Sequence, residues 1–221
     1  MEGKTLDKKT RNLILLLFLI GVFMGSLDTG IIGPVLPSIE QSFHLTSRES
    51  SWIFTLFVIS FMIGSPVMAK FSDFYGRKKV FILDVILFGI GSCLIASSLN
   101  IEAIFLGRIV QGFGCGGIFP VAGAFVGDAF PLEERGKALG ILGSVFGISA
   151  IGGPLVGAAL IPYGWNWCFT INIPIAIIKI QINIAPAIRS AFELFSIFSS
   201  SYFIIFIKYF SSKRSSLKFS I

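Results

Sequence analysis

Six apolar runs follow one another along this chain, at about residues 13–39, 52–69, 80–99, 101–127, 138–161 and 168–178. Most are long enough to cross a hydrocarbon core, which takes roughly 20 helical residues. A backbone in lipid must satisfy its own hydrogen bonds, so repeated runs of this length predict a bundle of membrane-spanning helices. Composition agrees: 54% of the residues are hydrophobic and 14% charged, with a mean hydropathy of +0.85. The first run is too long for the core of a signal peptide and is expected to stay as a helix.

Lysine and arginine orient the bundle. Lys4, Lys8, Lys9 and Arg11 precede the first run, Lys70, Arg77, Lys78 and Lys79 lie between runs two and three, and Arg135 and Lys137 between four and five. The alternate loops carry only Arg48. Positive residues mark the cytoplasmic side, which predicts a multi-pass cell-membrane protein with a cytoplasmic amino terminus. Trp52, Trp165 and Trp167 then fall at the outer interface. The formal charge of +6 is spread over short loops and the tail and does not gather on one face, which argues against a nucleic-acid partner.

Enzyme chemistry lacks its usual residues. His44 is the only histidine, and Cys93, Cys115 and Cys168 show neither metal spacing nor a disulfide framework. They read as packing residues. No metal, no cofactor and no enzymatic activity are expected.

Glycines recur at four-residue spacing: Gly112 and Gly116, Gly123 and Gly127 in the fourth run, Gly143 and Gly147, Gly153 and Gly157 in the fifth. That spacing puts each pair on one helix face, where close backbone approach suits packing in lipid, although small-residue faces are common in membrane helices of every kind. Runs four and five are expected to be tightly packed. Pro154, inside the fifth, removes a helix hydrogen bond and predicts a bend.

Between runs two and three, "AKFSDFYGRKKVF" admits two readings. One is a positive anchor; the other pairs Asp73 with Arg77 at i,i+4, with Gly76 allowing a tight reversal.

Asp28 is the only ionisable side chain between Leu13 and Ile39. It lies fifteen residues past Leu13, roughly 22 Å along a helix, and Arg108 lies seven residues past Ile101, roughly 10 Å from the opposite edge. Both come out at similar depth, so proximity is expected. An ionised residue there costs about 2.5–3.5 kcal/mol and usually faces a cavity or a partner. Asp28 either loads and releases a proton as its exposure alternates, or forms a static pair with Arg108 that fixes helix packing. Gln111 reads as a cavity-facing polar contact, Asp84 as an inner-interface residue of the third span, and Asn172 as a polar residue early in the sixth.

These motifs resemble the major facilitator superfamily. Residues 69–79 resemble its cytoplasmic loop signature, with Ala69 where glycine is usual; "LGRIVQGFGCGG" resembles its fourth-helix motif, and "GSVFGISAIGGPLVG" the fifth-helix antiporter motif of drug:proton exporters. "LDTGIIGPVLPSI" and "GWNWCFTINIP" are similar to the first helix and the entry to the sixth in the fourteen-span drug:proton antiporter branch, with Asn166 where arginine is common. The resemblance implies an all-α fold: a six-helix amino-terminal half built of two inverted three-helix repeats, with substrate held between two such halves. It implies export of small, amphipathic or drug-like molecules driven by the proton gradient, with Asp28 and Arg108 in proton coupling. By the same resemblance Asp73, Gly76, Arg77 and Lys78 belong to a cytoplasmic gate, and Gly143, Gly147, Gly153, Pro154 and Gly157 set tightness between halves. Membrane lipid, protons, a small-molecule substrate, and a carboxy-terminal half or second copy are the partners implied.

The expected organisation is a cytoplasmic segment 1–12, a six-span half-bundle 13–178 and a divergent tail 179–221. Every glycine lies at or before Gly164, and the tail places Lys179, Gln181, Asn183, Pro186 and Arg189 where the sixth span should continue. A lost reading frame near residue 178 is one explanation. Residues 191–210 could still form a further helix. A non-transporting membrane fragment or interaction protein is the competing reading.

Overall fold

A computed structural model of the protein describes residues 7–176. Six α-helices follow in order: α1 Lys8–Phe43, α2 Ser47–Tyr75, α3 Arg77–Ala96, α4 Ile101–Ala129, α5 Leu132–Leu160 and α6 Asn166–Thr170. Residues 172–176 are again helical. The first five are long and apolar enough to cross a membrane. The remainder of the expected sixth span, the tail and its 191–210 segment lie outside the described residues.

Short polar signals end each helix. His44 takes a left-handed conformation, φ 52°, after α1, and its N–H donates to Glu40 O. Thr46 and Glu49 then form a reciprocal capping box at the start of α2, the Thr46 N–H donating to Glu49 Oε2 at 2.9 Å. Gly76, at φ +92°, supplies the one-residue break between α2 and α3 that a side chain would strain. Asn100 caps α4 by accepting from the Ala103 N–H at 3.0 Å.

The helix α1 begins at Lys8, five residues before the apolar run. At 36 residues, roughly 54 Å, it is longer than a bilayer core. The extra turns are anchored, since Arg11 is buried, pairs with Glu134 and lies 4.4 Å from the Phe130 ring centroid.

The helices α4 and α5 are both tightly packed, but against different neighbours. The α4 helix sits between α2 and α3, and α5 lies along α1. Glycines make both arrangements. A Cβ on Gly112 or Gly116 would collide with the carbonyl oxygens of Phe57 or Phe61 in α2, and one on Gly153 would sit 2.6 Å from Gly30 Cα in α1. Gly123, Gly127, Gly143 and Gly147 have nothing within 4 Å. Spacing alone had made them equivalent to the others; only the neighbour decides.

The carbonyl left free by Pro154 is that of Ala150, and it faces Gly30: a Cβ there would lie 2.8 Å from it. Among the cysteines, Cys115 and Cys168 are buried, but Cys93 is exposed and is not a packing residue. Trp165 is buried against Phe43 and Phe169, at centroid distances of 5.8 and 6.4 Å, whereas Trp52 is exposed.

The apolar core falls into two clusters. One surrounds Phe18, Phe81, Phe88 and Phe125; the other surrounds Ile31, Ile39, Ile53, Ile95 and Phe169. Between them runs a thin polar layer.

Candidate functional site

The polar layer is built from four helical segments. Arg108 and Gln111 stand three residues apart on α4, hence on one face. Arg108 Nη1 donates to Asp28 Oδ2 of α1 at 2.9 Å and to Gln111 Oε1 at 2.7 Å. Gln111 Nε2 donates to Asp28 Oδ1 at 3.0 Å and to Ser92 Oγ of α3 at 2.9 Å. Asn172 Nδ2 donates to Asp28 Oδ1 at 2.8 Å. Asp28, Ser92, Arg108, Gln111 and Asn172 are all fully buried.

Small residues make this closeness attainable. A Cβ on Gly91 would lie 2.5 Å from the Gln111 nitrogen, and one on Gly107 would lie 2.6 Å from Ile95 Cγ1, so α3 and α4 meet nearly backbone to backbone beside the network. The α2 helix completes the site. Arg108 Nε donates to the Ile53 carbonyl at 3.2 Å, and the guanidinium lies 4.1 Å from the Phe57 ring centroid and 5.9 Å from that of Phe169. Arg108 Nη2 and Asn172 Oδ1 have no hydrogen-bond partner among the described residues.

The expected proximity of Asp28 and Arg108 is therefore direct contact. Gln111, expected to face a cavity, is enclosed, because both ends of its amide are taken up by Arg108, Asp28 and Ser92. Sequence reasoning noted Asn172 only as a polar residue early in the sixth span and passed over Ser92. The signal in each case was a lone polar side chain within an apolar segment.

A second cluster closes the end of the bundle where α2 turns into α3. Arg77 bonds Asp73 across the Gly76 break, donates from Nη1 to Ser72 Oγ at 2.6 Å, and donates from Nε to Asp128 Oδ2 at the end of α4 at 2.8 Å. The Asp73–Arg77 pairing holds, although the two residues belong to different helices. Asp128 was not anticipated. Lys78 is exposed. At the other end, Asn166 Nδ2 donates to the Ala96 carbonyl at 2.9 Å, capping α3.

An apolar cleft of about 240 Å3 opens beside the network, between α1, α2, α4 and α5. Phe57, Phe61, Phe119 and Phe146 line it with Val22, Val58, Cys115 and Ile118; Ser26 and Thr29 are its polar members. Phe57 borders both the cleft and Arg108. Among the described residues, no three His, Cys, Asp or Glu side chains come together as a metal site.

Known proteins are similar to this chain in sequence and in fold. The chain is 40% identical over 182 residues to a Bacillus subtilis protein described as the uncharacterized MFS-type transporter YfiU, covering 81% of this chain and 35% of that protein. It is 33% identical to multidrug resistance protein 3 of the same organism, over 81% of this chain and 35% of the relative. The chain thus spans about a third of the length of these relatives. The crystal structure of a bacterial homologue of the human lysosomal transporter Spinster, inward-facing and unoccupied, superposes with a TM-score of 0.68 at 19% identity, over 81% of this chain and 44% of that one. The family model described as Major Facilitator Superfamily matches residues 18–184. Sequence and fold agree: this chain belongs to the Major Facilitator Superfamily.

Proposed function

We propose that this chain forms the amino-terminal half-bundle of a proton-coupled exporter of small amphipathic molecules, working by alternating access across the cell membrane. The observation that carries the reading is a fully buried carboxylate, Asp28, whose two oxygens accept three hydrogen bonds from Arg108, Gln111 and Asn172.

Ionised, Asp28 neutralises Arg108 and ties α1 to α4 and to the segment after α6. A proton on Asp28 takes one oxygen out of use as an acceptor and leaves the Arg108 charge uncompensated in a buried site, which is unfavourable unless the guanidinium finds other acceptors or water. Proton binding and helix rearrangement are thereby linked. Release of the proton on the opposite side restores the pair and the closed packing.

Phe57 connects this step to cargo, because it lies under the guanidinium and lines the apolar cleft. A cleft with four phenylalanines, two hydroxyls and no ionised side chain suits a mostly apolar, aromatic-containing molecule with a few hydrogen-bonding groups. The exposed apolar residues Ile148, Ile151 and Leu155 of α5, with the open Gly143 and Gly147, give that helix a smooth face for a carboxy-terminal half or a second copy. The arginine cluster at the α2–α3 turn is assigned to the gate on the cytoplasmic side.

Proteoliposomes holding the full chain and an amphipathic fluorescent dye, with an imposed pH gradient, test the reading. Gradient-dependent dye movement that Asp28→Asn abolishes is expected; movement unchanged by the substitution removes Asp28 from coupling. Absence of any movement by the unaltered chain returns the non-transporting fragment.

A further inference from the structure

We propose that Asp84 is a second proton-binding acid of this bundle, occupied by its proton in the packing described and separate from the Asp28 site. Asp84 lies seven residues from Arg77 at the start of α3, roughly 10 Å along the helix. Expected at the inner interface of the third span, it is fully buried within the bundle. Neither carboxyl oxygen has a hydrogen-bond partner among the described residues. The carboxyl sits directly against Gly117 of α4, where a Cβ would overlap all three of its terminal atoms, and a Cβ on Gly114 would lie 2.5 Å from the Asp84 backbone carbonyl. Gly117 thus leaves room in α4 for this side chain, and Gly114 lets the α3 backbone approach beside it.

On the elements packed against α3, Arg108, Asp128 and Asp73 are engaged elsewhere. On α4, Arg108 is committed to Asp28, and it precedes Gly117 by nine residues, roughly 13 Å. Asp128, eleven residues beyond Gly117 and roughly 16 Å away, bonds Arg77, as does Asp73 of α2. Cys115 sits on the far side of α4, where a Cβ on Gly25 of α1 would meet its sulfur at 2.7 Å. In the segment that follows α5, Cys168 is oriented toward the Gly157 carbonyl. No cation among the described residues reaches Asp84.

An ionised carboxylate in such a place has lost its water and gained nothing, whereas the neutral acid avoids most of that cost. The protonated form therefore belongs to the closed α3–α4 contact, and ionisation belongs to any state in which water enters it. The inference does not rest on transport or on Asp28.

Infrared spectroscopy of the full chain in lipid nanodiscs near neutral pH reads it directly. The Asp28→Asn chain is expected to keep a protonated-carboxyl C=O stretch, shifted in heavy water, and Asp28→Asn with Asp84→Asn to lose it. A band that is missing from the Asp28→Asn chain, as when a cation outside residues 7–176 keeps Asp84 ionised, overturns the proposal, and so does a band that survives in the double variant. Should the double variant not fold, dicyclohexylcarbodiimide, which adds to protonated carboxyls in apolar surroundings, is mapped on the unaltered chain by mass spectrometry. An adduct at Asp84 supports the proposal, and an unmodified Asp84 peptide overturns it.

Discussion

Two arginines in this bundle each hold carboxylates, and they do so under opposite conditions. Arg108 and Asp28 are fully buried, and their partners come from α1, α2, α4 and the segment after α6, with Ser92 of α3 joined through Gln111. Arg77, with 21% of its side chain exposed, joins Asp73 and Asp128, each 60% exposed. The chemistry of the two clusters is nearly the same; water is the difference. Buried, a broken pair leaves an uncompensated charge with no solvent to receive it, so the cluster behaves as one unit. Exposed, each partner falls back on water, and the cluster can be remade at little cost. The first arrangement suits a site that must change state as a whole, the second a latch that opens and closes.

The sharpest way to break the contrast is to remove the buried cation. Arg108→Leu is expected to destabilise the chain by about 3–5 kcal/mol, since Asp28 is then left buried without its counter-charge, with only the neutral Gln111 and Asn172 as partners. Thermal unfolding in detergent, followed by fluorescence-detected size exclusion, measures it; a midpoint within a degree of the unaltered chain contradicts the burial argument.

A second substitution sharpens the same point. Combining Arg108→Leu with Asp28→Asn removes both charges, and replacing a buried ion pair by neutral groups is often close to neutral for stability. The pair of substitutions is expected to recover about 2 kcal/mol or more of the loss caused by Arg108→Leu alone. Transport stays abolished in the double variant, because no acid remains at that level to carry the proton. Stability restored without activity distinguishes a working site from a packing device; full activity in the double variant identifies the pair as structural.

How much of this was readable beforehand differs between the clusters for physical reasons. Rise per residue put Asp28 and Arg108 at one depth, because a straight helix converts sequence position into height. It carries no information on azimuth, so the enclosure of Gln111 and the arrival of Asn172 at Asp28 depended on how α3, α4 and the last segment pack. Glycine spacing met the same limit: Gly112 and Gly153 face backbones while Gly123 and Gly143, with the same i,i+4 repeat, face open space. The distance of Asp84 from Arg77 set its height near an interface but not its azimuth, and only the contact with Gly117 reveals an acid buried inside the bundle. Around Arg77 the local pairing with Asp73 was visible in the spacing. Asp128, 51 residues away, was not, since no periodicity connects the end of α4 to the α2–α3 turn.

The exposed cluster supplies the smallest effect and the cleanest control. Arg77→Ala removes two ion pairs and the bond to Ser72, yet exposed pairs contribute about 0.2–1 kcal/mol each at most and their partners remain solvated. A loss of up to about 2 kcal/mol is expected in the same unfolding assay, below the loss at Arg108. Ionic strength then separates the two sites. Salt near 1 M shortens the screening length to about 3 Å, so the difference between Arg77→Ala and the unaltered chain shrinks as salt is added, whereas the Arg108→Leu deficit, shielded from ions by the bundle itself, holds its size. A salt-insensitive Arg77→Ala deficit means that the arginine stem packs against α4 and contributes more than its charge, and the turn is then a fixed joint with no freedom to act as a latch.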